Sequence, residues 1–246
     1  MGTQQGFTVT EVMIFLAISG LMLVGAIVGV TSNINNTRFN DGVRSTTSFV
    51  QGQYNEVSSG RNMRPDTAGC IGGQPSVAGP SEPAGMTDCV ILGRFLYFSG
   101  DTVTSKYIVA NGILLGHTTG TDTNVLNQLN PRVATDAIYQ QQFPIPWSIG
   151  INKMTRDNAA TGAQVNSLFI VRSPVSGKIL VYAANSGAQP SQADVESFFN
   201  TSALNRSVYI CLRDDTSRRT GYVNVGAGQG QELIQTDLTR TSGSCL

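Results

Sequence analysis

Hydrophobic and polar positions divide the chain into three stretches. No Lys, Arg, Asp or Glu occurs between Glu11 and Arg38, and Val12 to Val30 is a run of 19 residues whose single polar side chain is Ser19. A helix of that length spans about 28 Å, close to the hydrocarbon thickness of a bilayer. The pattern then changes: Phe39, Val43, Val50, Tyr54 and Val57 recur at intervals of 4, 7, 4 and 3, the stripe of a helix with one buried face. No proline precedes Pro65, so a single helix is expected to run to about Val57, with Gly52 and Gly60 weakening its end and the stretch from Ser58 to Pro65 stopping it.

The third stretch, residues 58–246, reads as one β-rich domain. Six runs predict strands: Cys89–Phe98, Lys106–Val109, Ser167–Arg172, Lys178–Ala183, Ser207–Leu212 and Gly221–Val225. Each is short, rich in Val, Ile, Tyr or Phe, and bounded by Gly, Ser, Asn or Asp. Ser173–Gly177 reads as a hairpin turn between two of them. Ser191 is a candidate N-cap, with Asp194 three residues on, for a short helix whose apolar face is Val195, Phe198 and Phe199. Strands do not alternate with long helices, which argues against a parallel α/β enzyme fold. The predicted class is α+β, a long N-terminal helix whose second half packs on an antiparallel sheet, with residues 65–88 as a Pro/Gly-rich surface loop.

Composition narrows the function classes. Lys+Arg and Asp+Glu are 16 each and charged residues make up 13%, about half the usual share. Balanced charge argues against nucleic acid as the main ligand, because phosphate neutralisation needs a basic surplus. Low charge with ordinary apolar content argues against disorder. A single histidine excludes a His-based metal cluster, and Cys70, Cys89, Cys211 and Cys245 have no metal-ligand spacing. Neither a metal nor another cofactor is expected.

Three readings compete for the apolar helix. A cleaved secretory signal needs a shorter apolar stretch and a small-residue cleavage site, and Gly29–Asn33 is a poor one. An uncleaved signal anchor leaves Glu11 unexplained, because a carboxylate opening an apolar run is unfavourable. The third reading rests on Gly6-Phe7-Thr8-Val9-Thr10-Glu11 followed at once by the apolar helix. This segment closely resembles the processing site of type IV pilins and of the pseudopilins of secretion and competence systems. The resemblance covers about residues 6–57. It implies that a prepilin peptidase cuts after Gly6, that Phe7 becomes the N-methylated N-terminus, and that Glu11 is the glutamate setting subunit register in a filament. Residues 1–6 are then a leader, 7–30 the transmembrane and filament-core half of the helix, and 31–57 its amphipathic half. The leader departs from the family pattern in carrying no Lys or Arg, and Thr10 is more polar than the Ile common there.

Gly20, Gly25 and Gly29 interrupt the apolar half, and Gly25–Gly29 forms a G-x-x-x-G spacing that lets helices approach closely in lipid. Four cysteines allow three pairings, and export favours disulfides over free thiols. The expected bridges are Cys70–Cys89, pinning the loop, and Cys211–Cys245, tying down the tail; the second also resembles the C-terminal disulfide loop of many pilins.

No catalytic set stands out. His117 lies in a turn-like Gly116–Gly120 stretch with no nucleophile elbow elsewhere in the chain. Asp214 and Asp215 among Arg213, Arg218 and Arg219 read as a charged hairpin end, and Gly226–Gly230 lacks the Lys of a phosphate loop. Asp122 and Asn124 lack EF-hand spacing. Trp147 is expected in the core. The expectation is a non-enzymatic subunit of a helical filament serving adhesion, surface motility or uptake. Its partners would be further copies or other pilins, the peptidase, an inner-membrane assembly platform, and lipid before assembly. It would be held in the cytoplasmic membrane as a prepilin and then displayed in a surface fibre. A pseudopilin or minor pilin of a secretion or DNA-uptake machine is the alternative, and a monotopic surface binding protein on an uncleaved anchor is a second.

Overall fold

The computed structural model describes residues 8–60, 69–71, 73–76, 89–111, 120–158, 161–200, 207–216, 218–226, 234–237 and 245. The first helix, α1, spans Val9–Ser59 without a break and ends at Gly60, whose left-handed conformation lets its N–H close onto Val57 O. Its length, 51 residues, corresponds to about 76 Å.

The strands are β1 (Gly69–Ile71), β2 (Gln74–Ser76), β3 (Cys89–Ser99), β4 (Thr102–Asn111), β5 (Arg132–Val133), β6 (Gln140–Pro144), β7 (Ile149–Arg156), β8 (Ala163–Gln164), β9 (Ser167–Arg172), β10 (Ile179–Ala184), β11 (Val208–Asp214), β12 (Arg219–Val225) and β13 (Ile234–Asp237). Two more α-helices, α2 (Asp122–Gln128) and α3 (Gln192–Asn200), and a 3-10 turn at Ala137–Tyr139 lie among the described residues. β1 and β2 form a small hairpin inside the segment expected to be loop. One large sheet has the order β10-β9-β3-β4-β5, with β6 also on β4, and the other the order β13-β12-β11-β7-β8; every pairing is antiparallel. The fold is therefore α+β, as the sequence pattern predicts.

The first sheet is covered on both faces, and its period-2 alternation shows how. Leu168 and Ile170 of β9, with Val181 and Ala183 of β10, face a core shared with α1 and the second sheet. Phe169 and Val171, with Tyr182 and Ala184, face a second core under α2 and α3. This is why β9 reads as an unbroken apolar run. The short helix α3 has the expected cap: Ser191 N–H and Oγ donate to Asp194 Oδ2 at 2.9 and 2.6 Å, and Val195 and Phe199 are fully buried beneath it.

On α1 the buried stripe is Phe39, Val43, Thr46, Val50, Gln53 and Val57, spaced by alternating fours and threes. Two rungs are polar. Thr46 Oγ1 donates to Gly42 O at 2.9 Å, and Gln53 Oε1 accepts from Ser105 Oγ at 2.6 Å while its Nε2 donates to Gln141 Oε1 at 3.2 Å. A third contact is ionic: Arg94, 4% exposed, donates from Nη2 to Glu56 Oε1 at 2.5 Å and lies 3.5 Å from the centroid of the Tyr107 ring. Tyr107 Oη also donates to Glu56 Oε1, at 3.2 Å. Burial pushes the Tyr107 phenol up to about 12, against the opposing pull of Arg94. A group raised on folding stabilises the fold fully below its unfolded value, about 10, and ceases to do so as pH rises through its folded value. Tyrosinate absorbance is thus expected to show a component near pH 12 that is absent in Tyr107→Phe, with wild-type stability falling above pH 10.

Gly42 lies where α1 meets the turn before β7. A Cβ there would overlap Ile149 Cδ1 and come within 3.2 Å of Pro146 O. Ile149 is fully buried, so its tip has little room to move. Gly42→Ala is expected to destabilise by about 1 kcal/mol net, overpacking outweighing the gain in helix propensity. Denaturant titration of the chain in detergent measures this; an unchanged or raised midpoint would show that the turn yields.

Candidate assembly helix and its first turn

Gly6 and Phe7, the expected cleavage and methylation positions, lie outside the described residues. The description begins at Thr8, which is the N-cap of α1 with an extended backbone, φ −75° and ψ 149°. Its N–H and Oγ1 donate to Glu11 Oε2 at 2.9 and 2.8 Å, and Glu11 N–H points back to Thr8 Oγ1 at 3.4 Å. This is a capping box. It satisfies donors that the first turn of any helix leaves unpaired, and sets a carboxylate at the positive end of the helix dipole. Its signal is the order Thr-x-x-Glu ahead of an apolar run. Glu11 therefore has a partner within its own chain.

From Val12 to Val30 every residue is exposed, including Phe15 at 69% and Met22 at 72%. This is one helix long and apolar enough to cross a membrane. Thirteen large apolar side chains of this stretch stand open; covering them with lipid or protein is worth on the order of 20 kcal/mol. Apart from the helix's own nearby backbone, no atom of the described residues lies within 4 Å of where a Cβ would stand at Gly20, Gly25 or Gly29. Gly25 and Gly29 share one face; Gly20 is about 140° around the helix from Gly25, at about 100° per residue.

Both expected disulfides are present, Cys70–Cys89 and Cys211–Cys245. The second ties Cys245 to β11 of the second sheet, where Cys245 is fully buried and its carbonyl accepts from Asn152 Nδ2 at 3.0 Å.

Among the described residues, the other chemistry-bearing side chains singled out in the sequence serve local structure or stand apart from one another. Asp122 opens α2 and accepts from Ser173 Oγ at 2.6 Å and Ser176 Oγ at 2.8 Å, the first bond being the main cause of its lowered pKa. Asp214 ends β11 and, with Asp215 and Arg213, forms the charged hairpin end expected there. His117 lies outside the described residues, as does the segment from Ala227 to Gly230.

Trp147 corrects an expectation: it is 52% exposed, not in the core. It sits with Ser148 in a turn whose two residues both have positive φ, 69° and 56°. Arg38 Cζ lies 5.1 Å from its ring centroid. Between this turn and the outer face of α1 runs an open groove of about 800 Å³ lined by Asp41, Arg44, Phe49, Phe143, Pro146 and Trp147. Phe49 and Phe143 stack along it with centroids 4.5 Å apart. Comparison with protein-family models, curated proteins and solved structures returns no match to this chain.

Proposed function

We propose that this chain is a structural subunit of a type IV pilus-like filament, made as a membrane-held precursor and cleaved after Gly6. The observation that carries the reading is the division of α1. One continuous helix is apolar and open on all sides in its first half, and its second half is built into the core of a disulfide-tied head. Lipid satisfies the open half of a lone subunit, and packed neighbouring helices satisfy it equally in a fibre, so the subunit can pass between the two without refolding. The Gly25–Gly29 face suits close helix packing in either setting. Cleavage would expose an amine at Phe7 near Glu11, and the fibre would stand at the cell surface, serving adhesion, motility or uptake. A pseudopilin or minor pilin would use the same construction.

The capping box favours a second reading. It accounts for Glu11 without a free amine, and so suits an uncleaved anchor carrying a surface binding domain. The mass of the native N-terminal peptide separates the two. A chain beginning at methylated Phe7 supports the filament subunit; an intact leader in the mature membrane protein would overturn it.

A further inference from the structure

The turn between β6 and β7 is an unusual place for an exposed tryptophan. Non-glycine residues with positive φ are uncommon, and two in succession, one of them as bulky as tryptophan, are held only when their surroundings enforce it. The surroundings here do so. Ile145 N–H donates to Asp101 O and Ile151 N–H to Gly100 O, both at 2.7 Å, fixing the turn to the β3–β4 turn. Ile145 and Ile149 are buried on either side, and Gly42 admits Ile149 and Pro146 against α1. The chain thus descends along α1, from Ile149 at Gly42 to Trp147 at Arg38, toward the apolar stretch.

Arg38 is the first charge after that stretch, and Phe39 the first buried residue among the described side chains of α1. Arg38 lies eight residues beyond Val30, about 12 Å along the axis. A headgroup layer extends about 5–8 Å beyond the hydrocarbon, and long side chains on a helix lean toward its N-terminus, so Arg38 reaches back to that layer. The neutral residues Thr31 to Thr37 fill the intervening length. Tryptophan is the side chain that prefers this zone, its ring apolar and its N–H able to donate.

We propose that Trp147 and Arg38 form a foot by which the head rests on the bilayer surface, the indole seated among headgroups and the guanidinium on lipid phosphate. The occupant is lipid because the foot is continuous with the apolar helix and carries the matching cation. The proposal rests on the anchor half of the reading above and not on filament assembly. Before assembly it would hold the head in one orientation, and extraction would have to lift it.

Trp147 is the single tryptophan of the chain, so its emission reports the foot alone. The full chain is reconstituted into phosphatidylcholine vesicles with and without phosphatidylglycerol, using lipids brominated near the headgroup or deep in the acyl chain. Flotation reads insertion of the helix separately. The expected result is blue-shifted emission, quenched more by shallow than by deep bromines, with Arg38→Gln losing the extra quenching that phosphatidylglycerol confers. Water-like emission unaffected by bromine in chains that float would overturn the foot and leave the anchor standing. Failure to float would overturn the anchor, and the foot with it. A blue shift that grows with protein density and ignores bromine would assign Trp147 to a second copy, also overturning the proposal.

Discussion

Glu56→Ala is expected to destabilise the head by about 3 kcal/mol, because it leaves the Arg94 guanidinium buried without its counter-charge. Arg94 depends heavily on this pairing: its side chain is 5% exposed, its Nε has no hydrogen-bond partner among the described residues, and the Tyr107 ring covers one face. Replacing both charges, Glu56→Met with Arg94→Met, should recover most of the loss, since a buried ion pair adds little over a well-packed apolar pair of similar size. Denaturant midpoints of the full chain in detergent, for both single variants and the double, measure the coupling. Additive losses would show that the two side chains act independently. The site bears on function because Glu56 belongs to α1 and Arg94 to β3. Together with the Gln53–Ser105 bond and the apolar rungs, this pair ties α1 to the sheets of the head.

Much of this architecture is legible in the chain, for identifiable reasons. The six apolar runs all lie in strands because each faces a core on at least one side, and Ser191 caps α3 as its spacing implies. Strand β7, Ile149–Arg156, escapes the pattern because its alternation is broken. The pairing with β11 skips Asn152, so Ile149 and Met154, of opposite parity, face one core. Strand β6 escapes it because Gln140, Gln141 and Gln142 carry no apolar signal. Helix α2 offers only Val125 and Leu126 to the core, too few for a periodicity. The predicted stripe on α1 lacks Thr46 and Gln53, since polar rungs are invisible to a hydrophobic pattern even when buried. Trp147 is expected inside because large aromatics usually are; a turn strained into presenting its ring outward leaves no mark in composition. At the proposed assembly site the motif around Gly6 is conspicuous, and it masks the Thr8–Glu11 capping box written in the same six residues.

That overlap makes Glu11 the most informative position in the chain. Glu11→Ala is expected to insert into the membrane and be processed normally, yet to lower fibre yield by about tenfold or more. Two causes would give that loss. One is electrostatic: among packed apolar helices a carboxylate is tolerated only beside a cation, and the Phe7 amine of an incoming subunit would supply it, penalising every register that leaves Glu11 unpaired. The other is local: without its cap the first turn of α1 frays, at about 1 kcal/mol. Thr8→Val distinguishes them, because it removes the capping hydroxyl and keeps the charge. Near-normal fibres from Thr8→Val with few from Glu11→Ala would assign the effect to charge. Equal losses from both would assign it to the start of the helix. Normal fibres from Glu11→Ala would remove the register role, and the capping box would then be the whole function of that glutamate.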